Sequence, residues 1–117
     1  MSVDPLLRAR ALVLADLAAC GASDADAVSL LEDVLAQRRW WVEQWPEGAE
    51  HVAGQVAQDV QDRFEDTGDR SRRWPPCPRH PAGAHELRVE PDLGPDPHWV
   101  CEEDGVTVAP LGALAGA

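Results

Sequence analysis

The residues best suited to chemistry in this chain of 117 are Cys77, His80 and Cys101, with His85, His98 and Asp104 nearby. Thiolate and imidazole are the donors a tetrahedral zinc ion prefers, and a structural site takes four of them. Cys77-Pro78-Arg79-His80 carries two such donors on one short turn, close enough to share an ion. A second element must then return from further along the chain, and Cys101 stands where a strand should end. Cys77, His80 and Cys101 are therefore three expected ligands of one Zn2+.

The fourth ligand has three candidates. His98 is the poorest, because strand residues three apart face opposite sides and it should point away from Cys101. Asp104 has good local geometry: Cys101-x-x-Asp104-Gly105 resembles the second knuckle of a zinc ribbon, with Asp in place of the usual Cys and Gly105 permitting the tight turn. His85 follows the first knuckle closely and can fold back onto the ion. A Cys2His2 site is neutral with zinc, whereas Asp in place of one His leaves a negative charge. Two metal-free readings stand beside this one. Cysteine is often a small buried hydrophobe, and a Cys77–Cys101 disulfide would leave Cys20 as the odd thiol.

The elements that must position these residues follow from pattern and punctuation. Asp4-Pro5 suits a helix start, Leu7, Ala11, Leu14 and Ala18 recur at helical spacing, and Gly21 ends the run. Ser23 and Asp26 form a capping pair for a second helix, whose inward face reads Ala27, Leu31, Val34, Trp41 and Trp45. Pro46 breaks that helix and opens a third. Val52, Val56, Val60 and Phe64 run at four-residue spacing, with Ala49, Ala53 and Ala57 permitting close approach. Asp59, Asp62, Glu65 and Asp66 cover its outside as a solvated face. Beyond a polar Arg/Pro segment, Leu87–Val89, His98–Cys101 and Val106–Ala109 read as strands, and Asp104-Gly105 as a hairpin turn.

The expected fold class is α+β: a three-helix N-terminal bundle followed by a small three-stranded antiparallel zinc-ribbon-like β-unit. The expected bounds are a helical part over 1–68 with helices near 4–20, 24–45 and 46–67. A linker at 69–76, a β-meander at 77–113 and a frayed tail at 114–117 follow. So small a sheet has little core, and a metal would supply stability it otherwise lacks.

The net charge of -11 disfavours broad binding to nucleic-acid phosphates. Arg70, Arg72, Arg73 and Arg79 form the basic cluster of the chain and keep a weak nucleic-acid-binding module as an alternative. No run approaches the ~20 apolar residues of a membrane span. Leu17-Ala18-Ala19-Cys20 has the look of a lipobox, which would anchor a lipoprotein at Cys20, but Asp16 interrupts the apolar run before it. A cytoplasmic location is the expectation.

The stretches Trp40-Trp41-Val42-Glu43-Gln44-Trp45-Pro46-Glu47-Gly48-Ala49, Val56–Val60, Trp74-Pro75-Pro76-Cys77-Pro78-x-His80, His85-x-Leu87, Trp99-Val100-Cys101 and Val108-Ala109 resemble a family of small uncharacterised proteins of high-GC bacteria. The resemblance covers roughly residues 38–113 and implies no activity. It does imply that His85 and Cys101, rather than His98, accompany the first knuckle, which favours His85 as fourth ligand over Asp104.

The functional expectation is a non-catalytic zinc-binding adaptor or protein-interaction module, its partner an unknown protein, with Trp40, Trp74, Arg72 and Arg73 as the contact surface. The alternative is a zinc-dependent hydrolase-like enzyme in which water takes an open metal position and Asp104 or Glu102 serves as base. The chain has no HExxH, deaminase-type, Gly-rich phosphate or G-x-S-x-G pattern to support it.

Overall fold

The computed structural model describes residues 4–68, 73–80 and 85–116. Helix α1 spans Pro5–Ala19, α2 Ala25–Gln44 and α3 Val52–Asp66, with a 3-10 turn at Pro46–His51 leading into α3. Strands β1 (Arg88–Glu90), β2 (His98–Cys101) and β3 (Val106–Pro110) form one antiparallel sheet in the order β1-β2-β3. Among the described residues no helix is long and apolar enough to cross a membrane.

Local chemistry sets the helix ends. The Asp4 carboxylate accepts from the Leu6 amide at 2.9 Å and caps α1. At the other end Ala22 N donates to Leu17 O and Gly21 N to Ala18 O, while Gly21 takes φ +67°. That is the paired closure in which a glycine adopts the left-handed conformation a side chain resists. Helix α2 is capped by Asp24, which accepts from Ala27 N at 2.8 Å, and not by the Ser23/Asp26 pair. It stops at Gln44 ahead of Pro46.

The buried face of α1 is Leu6, Ala9, Val13, Asp16 and Leu17. The expected stripe lies elsewhere: Leu7 is 59% exposed, and Ala11 and Ala18 face solvent. This helix is apolar on most sides, so spacing alone admits more than one inward face. Helix α2 buries Ala27, Leu31, Val34 and Leu35. Of the two tryptophans expected on that face, Trp41 packs against the core and Trp45 does not. Trp41 is partly buried, Trp45 is exposed, and the two rings meet edge to face at 5.1 Å. Arg38 stacks over Trp41 at 5.3 Å and grips Asp59 of α3 through two bonds of 2.6 and 3.0 Å. A forked guanidinium–carboxylate pair of this kind fixes one helix against the other.

Helix α3 is the centre of the molecule. It buries Val52, Val56, Ala57, Val60 and Phe64. At Gly54 the backbone of the β1–β2 loop comes so close that a Cβ would sit 2.7 Å from Asp92 O. Gln55 Nε2 donates to that same carbonyl at 2.8 Å. Gln61, itself buried, donates to Trp74 O at 3.1 Å and Leu87 O at 2.7 Å, so α3 holds both the segment before the first knuckle and the chain entering β1.

Helices and sheet share one hydrophobic core, to which Trp74, Leu87, Val89 and Trp99 contribute beside Leu17, Val56 and Phe64. In the sheet, Val89 pairs with Trp99 and Trp99 with Ala109, and all three are buried. The Trp74 ring lies edge-on to Phe64 and to Trp99, at 6.2 and 5.2 Å. Among the described residues no buried side-chain N or O atom lacks a hydrogen-bond partner.

Candidate metal centre

Two backbone turns and a short ladder bring the candidate ligands together. Leu87 N donates to Pro75 O and Cys77 N to His85 O, at 2.8 and 2.9 Å, so the chain before the first knuckle runs antiparallel to the chain before β1. Cys77 and His85 are thereby held side by side. The first turn carries His80 back over Cys77, with His80 N 3.4 Å from Cys77 O. The second turn begins at Cys101, the last residue of β2, and closes with Gly105 N donating to Cys101 O at 2.8 Å. Gly105 has φ +68°, which a residue with a side chain adopts only with strain.

One donor atom from each of Cys77, His80, His85 and Cys101 lies within 4.8 Å of all the others. His80 Nδ1 is 3.6 Å from Cys77 Sγ, 3.5 Å from Cys101 Sγ and 3.1 Å from His85 Nε2. Cys101 Sγ is 3.8 Å from His85 Nε2. Both sulfurs are buried, and both imidazoles are about three-quarters covered, with side-chain exposures of 25% and 26%. The three cysteines of the chain are free thiols, so the disulfide alternative is not formed.

Burial pushes the Cys77 thiol above its ordinary value, and the neighbouring Cys101 adds to this, while the Arg79 and His80 amides pull the other way. Two thiols and two imidazoles in a partly dry site are a poor home for anions unless a cation compensates them. This Cys2His2 cluster could hold one metal ion.

The other candidates fall outside it. Asp104 is not the fourth member; its Oδ2 lies behind His80, 3.4 Å from Nε2, and 3.0 Å from Arg79 Nε. His98 sits at the far end of β2 with Nδ1 2.6 Å from Asp96 O. Trp74 corrects the expected interaction surface. It is buried, and its Nε1 donates to Asp16 O at 3.2 Å, because its large ring fills the space between α3 and the sheet. Trp40 is 65% exposed and Arg73 is exposed, while Arg72 lies outside the described residues.

Two features escaped the sequence reading. Asp16 is fully buried, and its carboxylate accepts from Trp99 Nε1 at 2.7 Å, Gly112 N at 2.6 Å and Leu114 N at 3.0 Å. An acidic residue interrupting the apolar run of residues 11–19 was the available signal. The second is Glu86, beside His85 in a cleft of about 440 Å³ that Glu65, Arg73 and Glu102 also line. Burial and then contact with the Glu65 carboxyl push Glu86 up to about 7, against the opposing pull of Arg73. Nothing in the local sequence shows that Glu65 and Glu86 meet.

No curated protein and no solved structure matches the chain. Residues 2–111 match a family model described as a domain of unknown function, DUF8819. The three helices, the Cys2His2 cluster and the sheet that bears it all fall within those residues, and the chain belongs to the DUF8819 family.

Proposed function

We propose that this chain is a small, non-catalytic protein-interaction module whose zinc-ribbon-like β-unit is closed by one structural Zn2+ held by Cys77, His80, His85 and Cys101. The observation that carries this reading is the spacing of the donors. With ordinary Zn–S and Zn–N bond lengths, a tetrahedral site has edges of about 3.3 Å between two nitrogens and about 3.5 Å between sulfur and nitrogen. The 3.1 Å nitrogen pair and the sulfur–nitrogen separations of 3.5, 3.6 and 3.8 Å lie close to those edges. Four protein donors leave no position for a reactive water, which supports a structural over a hydrolytic role. The exposed indole of Trp40 supports partner contact, since so large an apolar ring is normally covered.

Elemental analysis of the purified chain tests the site. One zinc per chain is expected, lost on Cys77→Ser and His85→Ala and retained at stoichiometric loading on Asp104→Ala. Metal-free protein obtained under reducing, chelator-free conditions would sink the proposal. Retention of zinc by His85→Ala would reopen the hydrolase alternative.

A further inference from the structure

The two histidines present different nitrogens to the centre. His85 turns Nε2 inward, and His80 turns Nδ1 inward. Each outer nitrogen therefore needs an acceptor for its proton if the inner lone pair is to face an ion. An imidazole so tethered is fixed in tautomer and orientation and is the more basic ligand. For His85 the acceptor is main chain: Nδ1 lies 3.2 Å from Glu86 O. For His80 the nearest carboxylate oxygen is Asp104 Oδ2, at an ion-pair separation of 3.4 Å from Nε2 rather than in an aligned hydrogen bond, with Glu103 Oε2 at 3.9 Å. That same Asp104 oxygen lies 3.0 Å from Arg79 Nε.

We infer that Asp104, oriented by Arg79, is the positioning residue that keeps His80 Nδ1 directed at the metal and clamps the two knuckles together. The inference rests on the zinc reading and adds residues outside the donor set to it. Charge favours the arrangement. A neutral Zn2+–Cys2His2 centre would become anionic if a carboxylate joined the ligands, but a carboxylate already paired with Arg79 strengthens the imidazole without that cost. Arg79 and His80 belong to the first knuckle and Asp104 to the second, so the contact also spans the seam that the ion closes.

Zinc affinity, measured by competition with a chromophoric chelator, tests this on the full chain and on Asp104→Ala, Asp104→Asn, Arg79→Ala and the Arg79→Ala/Asp104→Ala double variant. Loss of the carboxylate is expected to weaken binding about 10- to 100-fold. Asp104→Asn should lose less, because its amide oxygen still accepts from Nε2. The double variant should bind no more weakly than Asp104→Ala, because Arg79 acts through Asp104. In the zinc-loaded protein, the His80 Nε2 proton should exchange with water faster in Asp104→Ala than in wild type, as followed by NMR. Thermal melting of the metal-free variants separates this role from a folding defect, and should Asp104→Ala melt lower, the isosteric Asp104→Asn decides. One zinc per chain with unchanged affinity and proton exchange in these variants overturns the role of Asp104 and leaves the metal site standing. A wild-type chain that takes up no zinc overturns the site itself.

Discussion

Asp16 gathers three N–H donors on one buried carboxylate, and its backbone carbonyl takes a fourth from Trp74. Asp16→Ala strands those three donors in the core, each at a cost of about 1–3 kcal/mol unless water reaches it. The expected loss is at least about 3 kcal/mol in urea unfolding, and a loss below about 1 kcal/mol would show that the C-terminal turn rearranges freely around the gap. A second residue-scale prediction concerns Glu86. Its folded value of about 7 lies above the ordinary 4.5, so between those values the native state binds more protons than the unfolded chain. Stability from this group is therefore full at low pH, falls as pH rises from about 4.5 to about 7, and stays lost above that. Metal-free wild type should show that decline more steeply than Glu86→Gln, and equal slopes would place the effect elsewhere. Cys77, His80 and Cys101 as neighbours in one cluster were legible in the sequence at this scale. The Glu65–Glu86 contact was not, because it joins α3 to the chain before β1 through tertiary packing.

At the scale of elements, the strands and the second knuckle stood out because turn residues punctuate them. The core-facing side of α1 did not, because Leu6, Leu7, Leu12, Val13 and Leu14 offer apolar surface in several directions. What selects the face is Asp16, whose partners sit in β2 and in the chain after β3, information that no window along α1 contains. Trp74 misleads for a related reason. A tryptophan in an Arg/Pro segment reads as exposed, yet this one completes a ring stack with Phe64 and Trp99. Gly54 carries the element-scale prediction. A methyl group there meets the Asp92 and Pro91 carbonyls at 2.7 and 2.9 Å, so the β1–β2 loop must lift from α3. Gly54→Ala should lower stability by about 1–3 kcal/mol in urea melts, despite the better helix propensity of alanine. A stabilised variant would mean that the loop is not packed on the helix.

Across the whole molecule, Cys77 and Cys101 of the candidate metal site share one hydrophobic core with the helices and with Trp74 and Trp99. A structural ion that binds only the folded chain adds its binding free energy to folding. Because Trp74 and Trp99 bridge sheet and helices, chelation should lower the midpoint of a single transition followed by both far-UV CD and tryptophan fluorescence. Loss of the sheet in a separate, earlier step would show that the β-unit stands apart from the bundle. The α+β layout was legible from the sequence, whereas the continuity of its core depends on where Trp74, Gln61 and Asp16 meet. The most direct test of the account is titration of the reduced, metal-free chain with Co2+, a spectroscopic stand-in for zinc. Saturation is expected at one ion per chain, with the visible bands of tetrahedral cobalt and thiolate charge-transfer absorption that His85→Ala reduces. No saturable cobalt spectrum, or a six-coordinate one without thiolate absorption, would contradict it.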